Sequence, residues 1–261
     1  MRSRKKTGGI PLNLQITSYQ KLLSHVRRAV DDYSMIEAGD RIAVGVSGGK
    51  DSLALLAALA GLRRFYPIPF EVLPIHLHMG FPGEDSANIR ALCDTLSLPL
   101  LEVPTDIYTV VFDIRKEKNP CSLCANLRRG ILYSTAKEKG CRTVALGHHF
   151  DDAVETLLMN LFHEGRIGCF SPVTTLDRVG ITMIRPLLYV KERDLRGFVS
   201  AAGIQPSPKL CPADGATVRE ETKQFLAEAE KKDPGLKDRL FGAMERAGID
   251  GYAVHPRARK K

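Results

Sequence analysis

The amino-acid sequence predicts an α/β fold: a parallel five-stranded sheet with helices on both faces and a small helical extension toward the C-terminal end. Two observations carry this reading. Short runs rich in Val, Ile and Leu alternate with longer helical patterns, as they do when crossover helices separate parallel strands. A glycine-rich turn also stands at the first strand-to-helix junction, on the sheet edge where folds of this class bind ligands. The composition suits such a body. The chain has 261 residues, 44% hydrophobic and 26% charged, enough apolar material to bury a core and exclude disorder of the whole chain.

In chain order, residues 1–17 read as a basic arm. Ser18 can cap a helix over residues 18–33, with Leu22, Leu23, Val26, Val30 and Tyr33 on one stripe. Residues 41–46 (RIAVGV) read as a short buried strand, 47–49 as a turn and 50–64 as an apolar helix. A second strand (70–77), a helix (85–96) and a third strand (98–103) follow, and residues 105–120 are charged and irregular. Residues 123–139 form a helix beginning on a Cys-x-x-Cys, with Gly140 as its C-cap. A fourth strand (142–147), a helix (151–162), a fifth strand (181–184) and a helix (191–202) complete the alternation. A Pro-rich loop covers 203–215, and two helices are expected over 218–231 and 236–246. The expected organisation is an arm at 1–17, a main body at 18–205 with the Cys-x-x-Cys segment inserted, a loop and C-terminal helices at 206–254, and a basic tail at 255–261.

Lys and Arg total 38 against 30 Asp and Glu, a net charge of +8. The excess sits at the ends: Arg2, Arg4, Lys5 and Lys6 at one, Arg257, Arg259, Lys260 and Lys261 at the other. The body is therefore neutral on average. Basic arms serve solubility or a polyanion partner, nucleic acid foremost. Within the body, residues 115–142 carry eight basic side chains against Glu117 and Glu138, a local positive field around the Cys-x-x-Cys. The longest apolar-rich run, 53–62, is about half of what a bilayer span needs, which argues against a membrane span. No apolar stretch follows the basic start, so no signal peptide is read and the cytoplasm is the expected compartment.

Residues 44–52 read Val-Gly-Val-Ser-Gly-Gly-Lys-Asp-Ser, where the first strand turns into a helix. Gly48 and Gly49 let the backbone bend tightly toward a ligand. Ser47 and Ser52 offer hydroxyls, and the free N–H groups of the helix start favour an anion. Lys50 adds a cation, and Asp51 suits Mg²⁺ between phosphate oxygens. The phosphate loop of kinases and GTPases is excluded, because it needs glycine where Val44 stands and Ser or Thr where Asp51 stands. The Ser-Gly-Gly-Lys-Asp-Ser string instead resembles the PP-loop of the N-type ATP pyrophosphatases, which cleave ATP between the α and β phosphates. The resemblance extends nucleotide contact to Gly45 just upstream.

Gly147-His-His-Phe-Asp-Asp-Ala-Val-Glu-Thr156 lies at the end of the fourth strand. By residue type alone it suits a metal site or a helix cap, since Asp151 and Asp152 favour the positive end of a helix. The resemblance implies that Gly147 meets the nucleotide through its backbone and that Asp152 serves ATP and its metal. It also implies that the backbone of Leu77, ending the second strand beside His76, holds the adenine edge. His78, where relatives often have an acid, is read as an ordinary core or surface histidine.

Of six cysteines, Cys93, Cys141 and Cys169 sit singly in apolar or helix-like contexts and are read as core residues. A disulfide framework does not suit a cytosolic chain of this size. Cys121 and Cys124 stand in Asn119-Pro-Cys-Ser-Leu-Cys-Ala-Asn-Leu-Arg128-Arg129-Gly130 at a helix start. Such a pair can be a redox couple, half a zinc site or an iron–sulfur anchor. A zinc ribbon wants a second Cys-x-x-Cys, which the sequence lacks. Cys211 can supply a third ligand if the fold brings it near. Three thiolates suit a [4Fe–4S] cluster with one open iron, and zinc with three Cys and one His stays open at this level.

These strings, with Ile184-Arg185-Pro186-Leu187 before the lone Cys211, occur together and in order over residues 13–211. The set resembles the tRNA 2-thiocytidine synthetase (TtcA) family. The resemblance implies ATP, Mg²⁺ and a [4Fe–4S] cluster on Cys121, Cys124 and Cys211. It implies that the C2 oxygen of a tRNA cytidine, expected at position 32 of the anticodon loop, is adenylated and then displaced by sulfur. That sulfur rides on the open iron or as a cysteine persulfide. Asp51, Asp152, Arg128 and the three cysteines are the expected catalytic groups, Arg128 standing one helical turn after Cys124. The expected partners are tRNA, a sulfur donor (a cysteine desulfurase or sulfide) and a second copy of the chain, with no membrane. The rival readings are 2-thiouridine synthesis by a related enzyme and a non-catalytic, zinc-stabilised RNA-binding protein.

Overall fold

Ile42, Ala43 and Val44 are buried, and they seed the sheet at its centre. Their strand, β1 (Arg41–Gly45), pairs in parallel with β2 (Glu71–His78) on one side. The computed structural model, which describes residues 13–116, 120–212 and 218–254, places β3 (Leu101–Pro104) parallel to β2. On the other side of β1 lie β4 (Thr143–Ala145) and then β6 (Ile181–Ile184), both parallel. A sixth strand, β5 (Val173–Leu176), closes that edge antiparallel to β6, giving the order β3-β2-β1-β4-β6-β5. The expected five strands are thus corrected to six. Val173-Thr-Thr-Leu176 is a short, two-threonine edge strand and lacks the apolar run that marks the others.

The helices divide unequally between the two faces. α2 (Lys50–Leu62) is buried at every position from Ser52 to Leu62, because the sheet lies on one side and α1 (Thr17–Asp32) and α6 (Glu192–Ala201) on the other. α3 (Ala87–Leu96) and α5 (Phe150–His163) share this face and its large core. α4 (Pro120–Glu138) covers the opposite face, where Leu132, Tyr133 and Ala136 meet Ala43, Ile75 and Val144. The chain must return from β3 across the sheet to β4, and a right-handed crossover puts the returning helix on that second face. The reversal leaves a crevice between the carboxyl ends of β1 and β4, the place where such sheets bind ligands.

Two local differences from the sequence reading have simple causes. α4 begins at Pro120, before both cysteines, because proline suits the first helical position. Residues Thr109–Arg115, expected to be irregular, form a π-helical segment with Val111 buried. The basic ends at 1–6 and 255–261, with Glu117 and Lys118, lie outside the described residues. Among the described residues no helix is long and apolar enough to cross a membrane.

α7 (Val218–Lys232) and α8 (Leu236–Ala247) join the main core. Phe241 stacks on Phe150 at 4.7 Å between ring centroids, and Tyr252, 0% exposed, meets Phe241 edge-on at 5.6 Å. Truncation of a packed aromatic costs about 3–5 kcal/mol. Tyr252→Ala should therefore lower stability by about that amount in urea unfolding followed by circular dichroism. A loss below about 1 kcal/mol, the size of an ordinary surface effect, would place the C-terminal helices outside the cooperative unit.

Candidate active site at the β1–β4 edge

The turn after β1 is braced by its own hydroxyls. Ser52 Oγ donates to the Gly49 carbonyl at 2.9 Å, and Ser47 N–H donates to Ser52 Oγ at 3.2 Å. Gly48 sits at φ +83°, a conformation that favours glycine, and a Cβ there would lie 2.5 Å from Ser207 Oγ. The contact is close because Ser207 N–H donates to the Gly48 carbonyl at 2.9 Å, which pins the segment after α6 over the loop. No side chain caps the start of α2, so its first N–H groups stay open to an anion. Gly45 lies below, where a Cβ would meet Leu132 of α4 at 2.9 Å.

Charge around the loop is tightly paired. Lys50 Nζ lies 3.0 Å from Asp51 Oδ2 and 3.1 Å from Glu192 Oε1. Burial opposes the lysine charge, but the two carboxylates raise its pKa above the usual value. Burial also opposes ionisation of Glu192, yet hydrogen bonds from Arg196, Lys223 and Lys50 hold it far below the usual carboxylate range. Asp51 Oδ1 is buried without a hydrogen-bond partner, 3.8 Å from His149 Nε2. Ser207 Oγ is likewise buried and unpartnered.

The β4 side closes on this loop backbone to backbone. A Cβ on Gly147 would lie 3.2–3.4 Å from backbone atoms of Asp51 and Ser52, so any larger residue would push the two motifs apart. His149 caps α5: its N–H donates to Asp152 Oδ2 at 2.9 Å, and Asp152 N–H returns to His149 Nδ1 at 3.4 Å. The two neighbouring acids then diverge. Asp152 Oδ1 faces Arg219 of α7 at 3.2 Å, and the same guanidinium reaches Glu155 at 3.5 Å. Asp151 turns away, accepting from Glu192 N–H and from Lys237 of α8, each at 2.7 Å. Leu77, half-buried, lies one residue before the end of β2, opposite Val103.

The three cysteines singled out by the sequence gather. Cys121 is exposed, and Cys124 and Cys211 are half-buried. Burial raises the Cys124 thiol, Arg128 lowers it, and charge on Cys211 and Cys121 raises it, so Cys211 stands near enough for its charge to act on Cys124. The three sulfurs do not all fall within 4.8 Å of one another. Cys93, Cys141 and Cys169 are buried as expected, and burial pushes the Cys93 thiol up to about 12 and the Cys169 thiol to about 11. Sequence reasoning missed Glu192, Ser207, Arg219 and Lys237. Each reaches the site from a distant element and carries no local motif.

Residues 18–206 match the family model of the PP-loop domain. The tRNA-cytidine(32) 2-sulfurtransferase of Syntrophotalea carbinolica is 39% identical, covering 87% of this chain and 88% of its own. That of Geobacter sulfurreducens is 40% identical, over 87% and 89%. The chain belongs to the PP-loop family, with the tRNA-cytidine(32) 2-sulfurtransferases. Among solved structures it resembles the U34-tRNA thiolase NcsA from Methanococcus maripaludis with its [4Fe-4S] cluster. That likeness has TM-score 0.73 and 25% identity, over 88% of this chain and 78% of that one.

At this PP-loop site one acid is displaced upward. Glu155 is 3% exposed, and burial, aided by Asp152 and opposed by Arg219, pushes its carboxyl up to about 7. Its neutral form therefore stabilises the fold fully below the unfolded carboxylate pKa, and that stability is lost as pH rises through about 7. Glu155→Gln keeps the shape and removes the charge. The variant should match the wild type near pH 4.5 and exceed it near pH 8 by up to about 3 kcal/mol in thermal unfolding. A difference that does not change with pH would mean that Arg219 fully compensates the buried charge.

Proposed function

We propose that this PP-loop protein catalyses ATP-dependent thiolation of tRNA, converting cytidine 32 to 2-thiocytidine with a [4Fe–4S] cluster on Cys121, Cys124 and Cys211. One observation carries the reading. Ser207 is hydrogen-bonded to Gly48 of the phosphate loop, and Cys211 follows at most about 14 Å of extended chain later. α4 runs against the strands, so its cysteine end also stands at the carboxyl edge of the sheet. The nucleotide loop and the thiols thus share one edge. The catalytic unit is the body at 18–205 completed by the loop and helices of 206–254.

The residues fit a magnesium nucleotide. The open first turn of α2, Gly48 and Gly49, and the Ser47 and Ser52 hydroxyls form a cradle for phosphate, with Lys50 beside it. The unpartnered Asp51 oxygen offers a metal ligand, and Asp152 a second across the crevice. Mg²⁺, when bound, neutralises charge on departing pyrophosphate. Leu77 and Gly147 present backbone to the adenosine. The cytidine C2 oxygen attacks the α-phosphorus, a C2–O–AMP linkage forms and pyrophosphate leaves. Sulfur then bonds to C2 and AMP departs with the oxygen, leaving C=S. Arg128 offers positive charge to phosphate between the nucleotide and the thiols.

The likeness to the U34-tRNA thiolase NcsA with its [4Fe-4S] cluster supports a cluster over zinc. The cluster, when bound, supplies a coordination site for the sulfur that is transferred. Free sulfide supplies that sulfur, or a cysteine desulfurase does so with two electrons from a thiol reductant that bring its persulfide sulfur to the sulfide level, in the cytoplasm. Phe162 and Phe225, half exposed beside Leu161, support a second copy of the chain as a partner.

Pyrophosphate and AMP should appear from ATP only with tRNA and Mg²⁺, and Asp51→Asn should slow their release by about 10²–10³-fold. ADP and phosphate as products would overturn the reading. Cys121→Ser, Cys124→Ser or Cys211→Ser should each abolish anaerobic [4Fe–4S] assembly, read as iron and acid-labile sulfide, whereas Cys93→Ser should keep it. Full zinc occupancy without sulfide in active enzyme would contradict the cluster. Nucleoside mass spectrometry of tRNA from a deletion strain tests the product: 2-thiocytidine should vanish, and loss of 2-thiouridine instead would move the assignment.

A further inference from the structure

Two histidines and a glutamate at the carboxyl end of β2 take no part in the reaction above. His76, His78 and Glu84 each present one ligand atom, and these atoms lie within 4.8 Å of one another. His76 Nε2 points at Glu84 Oε1 from 4.0 Å. His76 is 4% exposed, and its Nε2 is buried with no hydrogen-bond partner. The other ring nitrogen decides the proton's place. His76 Nδ1 lies 2.8 Å from the Val46 carbonyl, which can only accept, so Nδ1 carries the hydrogen and Nε2 presents a lone pair. An ionised Glu84 has no hydrogen to offer it. Two electron-rich atoms therefore face each other at 4.0 Å, the histidine one buried.

His78 is set in the same way from the other side. Its Nε2 lies 2.7 Å from Glu102 Oε2, and Arg90 grips that carboxylate with two bonds of 2.7 and 2.8 Å. The hydrogen then sits on Nε2 and the Nδ1 lone pair is left over. A metal-binding histidine is oriented by such a partner, a carbonyl or carboxylate on its second nitrogen. Glu84 is fixed as well, accepting from the N–H groups of Met79 at 3.0 Å and Gly80 at 2.9 Å.

We propose that His76, His78 and Glu84 form a binding site for a divalent transition-metal cation of the zinc class, separate from the cysteine site. Two imidazoles and a carboxylate suit Zn²⁺ and its neighbours. Metal bonds of about 2.0–2.2 Å require the donor atoms to draw in by about 1 Å. The cation would tie the turn after β2 to Val46, the residue that leads into the phosphate loop.

The full chain with its cluster assembled is titrated anaerobically with Co²⁺ alone. One Co²⁺ per chain should bind, with the visible absorption of a nitrogen–oxygen site and without the sulfur-to-cobalt charge-transfer band of a cysteine site. His76→Gln and Glu84→Gln should each weaken binding at least tenfold, while the triple serine variant of Cys121, Cys124 and Cys211 should keep it. Glu84→Gln changes only a half-buried side chain, so it serves as the test if His76→Gln fails to fold by circular dichroism. Absence of retained Co²⁺ would mean that water alone fills the gap and would overturn the proposal. So would binding that survives both substitutions, or binding lost only with the cysteines. None of these readouts depends on thiolation.

Discussion

The fold's functional edge depends on one close approach, the backbone of Gly147 against the first turn of α2. With no Cβ, Gly147 lets the carboxyl end of β4 settle beside the phosphate loop, where a Cβ would lie 3.2–3.4 Å from backbone atoms of Asp51 and Ser52. Strand order makes the contact available, since β1 and β4 become neighbours only when the chain recrosses the sheet through α4. Glycine then lets it close. With that approach made, Asp51 comes to stand 3.8 Å from His149, and Asp152 faces the same crevice from α5. Both carboxylates belong to helix starts, whose positive ends lower the cost of gathering negative charge there.

Gathering acids in a buried crevice has a second requirement. Asp51, Asp151, Asp152, Glu155 and Glu192 lie close together, and each needs compensation. Lys50 serves two of them from the loop itself. Arg196 of α6 adds to Glu192, and the rest comes from α7 and α8, through Arg219, Lys223 and Lys237. Coulombic demand at the site thus gives the C-terminal helices a task beyond apolar packing. It also explains why Glu155 stands apart. Arg219, still 43% exposed at its side chain, is shared with Asp152 and cannot fully offset burial of a second carboxyl.

Much of this was legible in the sequence where the information is local. The Ser47–Ser52 loop, the capped start of α5 and the Cys-x-x-Cys helix each combine turn chemistry and charge within a few residues. The buried strands were legible from Ile, Val and Leu runs. β5 was not, because an edge strand with one solvated face needs no apolar run, and Thr174 and Thr175 supply none. Glu192, Ser207 and Arg219 were illegible for another reason. Their partners lie far off in sequence, and nothing in the residues around them differs from an ordinary helix start or loop. His76 entered the sequence reading only as the neighbour of Leu77. Its singular feature, a buried nitrogen with a lone pair and no donor, is a property of where Val46 and Glu84 fall in space.

The exposure pattern along the edge separates two kinds of chemistry. Around the phosphate loop Ser52, His149 and Asp151 are buried, and two polar atoms there lack partners. Such a place gives electrostatic contacts their greatest strength and keeps water from a reactive phosphate linkage. The thiol side is open: Cys121 is exposed, and Arg128 and Arg129 stand exposed on the same helix. The exposed arginines put positive charge beside the thiols, where a polyanion can meet it. The segment from Ser207 to Cys211 spans the boundary, anchored on the loop at one end and carrying a thiol at the other. The third cysteine stands four residues of chain after the Ser207 anchor on the phosphate loop.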